Sequence, residues 1–316
     1  MTPSSKGTIA GLTMMGMDDI PNDAGRWLIH GPQGSGKTLL ASTIAKMGPT
    51  LYIDLTGEKG IRSFKGSTYE SNITVVRPSS AQQFDALFWE LDAGTACDSQ
   101  GRLFVAVVVD SLTAIQKMSM RFMLGHTETA VKEIKQGTAP ADQRTWGQTL
   151  DIMQDFATFW FGLADGNRAH PIHVVMTAQT KVTDDDISAT STRTPDVQKG
   201  ALGIVLATPD YIVYTEEEAD YDNPNDDGTT PTRHIMRFGG HPGYRTKARI
   251  PVPLRGRLPP FLGRAPVDPN DLKKGYKSAD LAQLSRVLSI GGAKPPVAAK
   301  AAAPAAAPKT TASAAK

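Results

Sequence analysis

The stretch HGPQGSGKTLL, residues 30–40, constrains the chain more than any other. Gly31, Gly36, Lys37 and Thr38 satisfy the spacing G-x-x-x-x-G-K-[ST], with the apolar run RWLI before them and TLLASTIAKM after them. A strand entering and a helix leaving is the setting in which small residues let backbone N–H groups close around phosphate at a helix amino terminus. The spacing therefore predicts a strand–loop–helix unit that takes a nucleoside triphosphate on Gly31, Pro32, Gln33, Gly34, Ser35, Gly36, Lys37, Thr38 and Leu39. Lys37 would bring a point charge to the β- and γ-phosphates, and the Thr38 hydroxyl would reach Mg²⁺. ATP and Mg²⁺ are the expected cofactors.

The remainder of the chain fits such a unit. Apolar runs of strand length (RWLIHG, PTLYIDL, ITVVR, LFVAVVVD, IHVVMTAQ and YIVYTE) alternate with helical patterns such as Lys37 to Met47 and Gln82 to Leu91. Alternation of this kind implies crossover connections, hence a mostly parallel sheet with helices on both faces. LFVAVVVD has almost no polar alternation, as expected of a central strand covered on both sides. After the acidic EEEADYDNPNDDGTTP, the runs RHIMRFGG and TKARIPVPLRG read as antiparallel strands extending the same sheet. The expected fold is α/β, a P-loop NTPase with a mostly parallel central sheet and an antiparallel C-terminal extension. Residues 1–24 form an N-terminal segment, 25–290 the core and 291–316 a disordered tail of Ala, Pro and Lys.

Three polar side chains at strand ends are candidates for the chemistry. Asp110 closes LFVAVVVD, where a carboxylate at the end of a neighbouring buried strand would hold the magnesium. Glu58, in the TGEKG that follows TLYIDL, is the candidate base that orients or deprotonates the attacking water, while Asp54, within the strand, reads as structural. Gln179 ends IHVVMTAQ, and a neutral amide there could report the presence of the γ-phosphate. Immediately after it comes the first of two long polar intervals, Thr180 to Lys199; the other runs from Gln116 to Trp146. Long polar connections inside a tight α/β core are usually functional or mobile.

Composition excludes several classes. The net charge of +2 depends on the tail lysines Lys294, Lys300, Lys309 and Lys316; without them 30 basic residues face 32 acids, a balance of −2. A generally basic nucleic-acid binder is not expected, so any DNA contact must be local. The single cysteine, Cys97, excludes an internal disulfide framework. No window approaches the ~20 uninterrupted apolar residues of a membrane span. MTPSSKGTIAG lacks the pattern of a signal peptide, so a cytoplasmic location is expected, that of the host cell if the chain is phage-encoded. His170 and His173, in HPIHVV, straddle a proline with no third ligand close by and read poorly as a metal pair. In LDIMQDFATFWFGL the aromatics have helical periodicity and read mostly as core, leaving Trp146, outside that helix, as the aromatic to consider for base stacking.

The order of these parts, from about Gly25 to Gly256, resembles the RecA-type recombinase core, and in particular the small phage-encoded ATPases of that superfamily that serve in single-strand annealing. GPQGSGKT is similar to that family's phosphate loop, LYIDLTGEKG to its strand with a following catalytic glutamate, VVVDSLTAI to its magnesium strand, and VVMTAQTK to its strand ending in the sensor glutamine. The resemblance implies that the two polar intervals are DNA-binding loops, with Lys181, Arg193 and Lys199 as phosphate contacts in one and Lys132, Lys135 and Arg144 in the other. It also implies head-to-tail assembly into a filament or ring, in which Arg245 and Lys247 of GYRTKARIP complete a neighbour's ATP site. Single-stranded DNA, further copies of the chain and a single-strand-binding protein met by the tail are the implied partners, with no membrane. The implied activity is DNA-stimulated ATP hydrolysis promoting annealing or strand exchange in phage recombination. A helicase or packaging motor of the same superfamily and an ATP-gated regulatory scaffold are the alternatives.

Overall fold

Residue polarity along the strands accounts for most of the architecture seen in the computed structural model, which describes residues 8–9, 12–13, 24–55, 59–123, 143–185, 190–219, 230, 232–238, 243–249, 261–262, 280–282 and 284. In chain order the strands are β1 (Thr8–Ile9), β2 (Leu12–Thr13), β3 (Arg26–Gly31), β4 (Thr50–Asp54), β5 (Ile73–Val76), β6 (Ala106–Asp110), β7 (His173–Asp185), β8 (Thr190–Pro195), β9 (Tyr211–Ala219), β10 (Thr232–Phe238), β11 (Lys247–Ala248) and β12 (Phe261–Leu262). The α-helices are α1 (Lys37–Ser42), α2 (Ala81–Asp92), α3 (Leu112–Met123), α4 (Gln143–Gly162) and α5 (Lys199–Ala207). A 3₁₀ turn, Thr43–Met47, continues α1. Ser80 caps α2 by accepting the Gln83 N–H, which satisfies one orphan donor at that end, and Gln83 Oε1 reaches back to accept the Ser79 N–H just before the cap.

The main sheet runs β12-β10-β9-β3-β7-β6-β4-β5, with β11 beside β9 and β8 beside β7. Pairing is parallel from β9 through β5, and β10, β11 and β12 join antiparallel. The fold is thus the expected α/β P-loop NTPase with a RecA-like core and an antiparallel C-terminal extension.

Both faces of the central strands β3, β4 and β6 are buried, which is why these strands lack polar alternation. Leu28, Val107, Val109, Val174 and Met176 enter one core with Phe84 and Phe88 of α2, Ile115 of α3, Phe156, Trp160 and Phe161 of α4 and Val205 of α5. Trp27, Ile29, Val108, Val175 and Val213 enter the other with Leu40 and Ile44, and with Leu281 and Leu284 from beyond the sheet. The latter pair is tied down by Lys46 Nζ on Asp280 Oδ2 at 2.5 Å and by the Leu281 N–H on Thr43 Oγ1 at 2.9 Å.

Three expectations need correction. The Thr180 to Lys199 interval is not an irregular loop: β7 continues to Asp185 and β8 pairs back on it in register Thr180↔Pro195 to Asp185↔Thr190. The Thr-rich sequences on both sides, TKVTD and TSTRTP, carry the β-branched residues that suit such a ladder. Trp146 lies within α4 rather than outside it, because that helix begins at Gln143. Finally, Asp110 is not on a strand adjacent to β3, since β7 lies between them.

Candidate nucleotide site

Parallel register brings the polar strand ends to one edge. Gly31 of β3 stands level with Gln179 of β7, and Asp54 of β4 with Asp110 of β6. The loop leaving β3 is built for close approach: Gly34 and Gly36 have φ of 83° and 85°, a region side chains rarely enter. At Gly31 the constraint is space, because a Cβ there would sit 2.3 Å from both the carbonyl oxygen and the hydroxyl of Thr215 on β9. Thr215 Oγ1 in turn shares a 2.7 Å hydrogen bond with Ser35 Oγ, which donates to the Pro32 carbonyl at 2.8 Å. The loop is thereby pinned to the strand beside it.

Lys37 is buried and folds back to donate to the carbonyls of Gly31 at 2.9 Å and Pro32 at 2.6 Å. Thr38 Oγ1 donates to Asp110 Oδ2 at 2.9 Å. Two further hydroxyls hold the same carboxylate: Tyr52 donates to Oδ2 at 2.6 Å and Thr177 to Oδ1 at 2.5 Å. Burial, and then the negative charge of Asp110, push the Tyr52 hydroxyl well above its ordinary range, so it remains a donor. A hydroxyl and a carboxylate side by side offer oxygen donors that suit a hard cation, and Mg²⁺ characteristically takes few protein ligands and leaves the rest to water and phosphate. Thr38 and Asp110 therefore fit the ion they were assigned.

The other candidates fall into three groups. Glu58, Lys132 and Lys135 lie outside the described residues; Gly60, two positions past Glu58, lies against Thr38, with a Cβ there coming 3.3 Å from Thr38 Oγ1. Several are engaged in the fold. The Gln179 backbone N–H donates to Thr113 Oγ1 at 3.1 Å. Lys181 Nζ donates to the Val197 carbonyl at 2.5 Å, and the Arg193 guanidinium lies 5.2 Å from the Tyr244 ring. Lys247 Nζ caps the end of α5 on the carbonyls of Leu206 and Ala207, at 3.2 and 2.6 Å, and burial lowers its pKa. The third group is exposed. Arg144 in the first turn of α4, Lys199 at the start of α5 and Arg245 all face solvent.

Asp54, read as structural, accepts from Arg77 Nε at 2.8 Å. His170 and His173 each bond to backbone, on the Phe104 carbonyl and the Gly25 N–H respectively. Four site residues escaped the sequence reading: Tyr52, Thr177, Thr215 and His30. Each is a polar side chain inside an otherwise apolar strand, and that was the available signal, since a buried polar group needs a partner.

A protein-family model described as an AAA domain matches residues 24–250, more than two thirds of the chain, and the chain belongs to that family. It is a nucleotide-binding protein of the P-loop ATPase class, and the match spans every element that shapes the site. Comparison with curated proteins finds no significant match.

Proposed function

We propose that this protein is a Mg²⁺-dependent ATPase that binds single-stranded DNA and promotes annealing or strand exchange in phage recombination. One observation carries the reading: Gln179 stands level with Gly31 of the phosphate loop, and its own strand continues without a break into the β7–β8 hairpin. A change at the γ-phosphate position thus has a continuous hydrogen-bonded path to a projecting element. Lys37 neutralises phosphate charge, Gln179 contacts the terminal group, and Glu58 prepares the water. Magnesium, held by Thr38 and Asp110 when bound, withdraws charge from the phosphate oxygens.

The two polar intervals support the DNA half of the reading because their described ends meet. Gln198 Nε2 donates to the Trp146 carbonyl at 3.0 Å, and the Gln198 N–H donates to Gln116 Oε1 at 2.5 Å. Around this junction Arg144 and Lys199 are exposed, and Trp146 is 43% exposed. Two exposed cations near an accessible indole are the residue types that single strands use for phosphate and base contacts. Lys181 and Arg193, being engaged within the fold, contribute less. That engagement is also the observation favouring the second reading, an ATP-gated scaffold with negligible hydrolysis.

Two variants separate the readings. Lys37→Ala should weaken ATP binding and abolish turnover, while Glu58→Gln should spare binding and stop turnover, as measured by titration calorimetry and phosphate release. Binding without turnover in the unaltered chain would select the scaffold.

A further inference from the structure

His30 precedes Gly31 in β3 and is wholly buried. Its ring joins two segments far apart in sequence: Nδ1 lies 2.9 Å from Thr180 Oγ1 and Nε2 lies 2.9 Å from the Arg245 carbonyl oxygen. A carbonyl can only accept, so Nε2 carries a proton. Burial pushes the ring's pKa down to about 4, with the Arg245 carbonyl opposing that fall and the Lys37 ammonium adding to it. The neutral ring then has a lone pair on Nδ1, and Thr180 donates to it. Tautomer and both hydrogen-bond directions are thus fixed.

Each partner of the ring leads somewhere useful. Gly31, next in the chain, gives its carbonyl to Lys37. Thr180 directly follows Gln179. Arg245 is clamped to the hairpin, since its N–H donates to the Arg193 carbonyl at 2.9 Å while the Arg193 N–H donates to the Gly243 carbonyl at 3.0 Å. Rings continue the same line: His30 lies 5.3 Å from Tyr214, Tyr214 lies 4.4 Å from Tyr244, and the guanidinia of Arg193 and Arg237 each lie 5.2 Å from the Tyr244 ring. Glu216 pairs with Arg237, which balances one of the two guanidinium charges beside that ring.

We propose that His30, in its Nε2–H tautomer, is a positioning residue that couples the phosphate loop to the hairpin and to the segment presenting Arg245. The inference rests on the nucleotide reading of the loop. A shift of the loop on phosphate binding moves the ring, and the ring moves the Thr180 hydroxyl and the Arg245 backbone together, because both are bonded to it. Arg245, at the outer end, is exposed.

The test uses the full chain labelled with ¹⁵N-histidine. Nitrogen resonances report the tautomer of His30 directly, and binding of a fluorescent ATP analogue is followed in parallel. The expected result is an Nε2–H ring whose resonances move when Mg–ATP is added and move less with Mg–ADP. His30→Phe assigns the signal; should that variant not fold, Thr180→Val assigns it by removing the one donor to Nδ1. Turnover gives a second reading: Thr180→Val should lower kcat about tenfold while leaving nucleotide affinity within about twofold, and Thr180→Ser should restore it. Nucleotide binding with His30 resonances unmoved, or a Thr180→Val variant with unchanged kcat, overturns the coupling while leaving the nucleotide site intact. If the analogue does not bind at all, the nucleotide reading falls and the coupling falls with it. Should the chain bind nucleotide without turning it over, the ring resonances alone decide.

Discussion

Asp110 takes three hydroxyl donors on two oxygens, and two of them, Tyr52 and Thr177, have no part in the assigned chemistry; Tyr52 can lose its hydroxyl with its ring kept. Removing that donor alone isolates its structural share. Tyr52→Phe should destabilise the fold by about 2 kcal/mol, the scale of a buried hydrogen bond to a charged group, as read from the midpoint of urea unfolding. An unchanged midpoint would mean that water or Thr38 takes over the bond. His30 makes a second prediction at this scale, through its pKa of about 4 against an ordinary 6.5. Between those values the unfolded chain binds a proton that the folded chain refuses, so stability is fully present above pH 6.5 and falls as the pH drops toward 4. The loss is on the order of 3 kcal/mol by linkage. Unfolding titrations at pH 7 and pH 5 should show about 2 kcal/mol of it, with a smaller difference in His30→Phe; equal stability at the two pH values in the unaltered chain would contradict the burial argument. In sequence these residues were visible only as polar interruptions of apolar runs. Lys37, Thr38 and Asp110 were legible because local spacing and a strand end define them, whereas the partners of Asp110 come from strands 58 and 67 positions away, a relation no local pattern carries.

Among the elements, β3, β4, β6 and the first half of β9 were legible as apolar runs, since strands covered on both faces have little choice of side chain, and the terminal strand β5 was legible from its ITVV run alone. The β7–β8 hairpin was not, because its strands leave the core: Val182 is 60% exposed, and Thr and Asp dominate where burial would have demanded Val and Ile. Polarity there was mistaken for irregularity. Trp146 was misplaced for a related reason. The first turns of α4 are largely exposed, so the apolar periodicity that identifies a helix begins only further along. The meeting of α4 and α5 at Gln198 gives the element-scale prediction. Arg144→Ala combined with Lys199→Ala should weaken single-strand binding and reduce the slope of log affinity against log salt by up to about 1.4, the contribution of two phosphate contacts. An unchanged slope in fluorescence-anisotropy titrations would move the DNA contact away from this junction.

As a whole, the molecule sets the phosphate loop, the Thr38–Asp110 pair and Gln179 along one edge of a parallel sheet, with a hairpin and an exposed arginine linked to that edge through one buried ring. No helix among the described residues is long and apolar enough to cross a membrane. The fold and the loop define the P-loop class, and the DNA partner rests on the junction of the two intervals. The direct measurement is steady-state ATP hydrolysis by the full chain at fixed salt, titrated with single-stranded DNA, with Lys37→Ala as the blank. The account predicts turnover that rises several-fold and saturates as DNA is added. Turnover indifferent to DNA, together with no DNA binding in the presence of Mg–ATP, would contradict it.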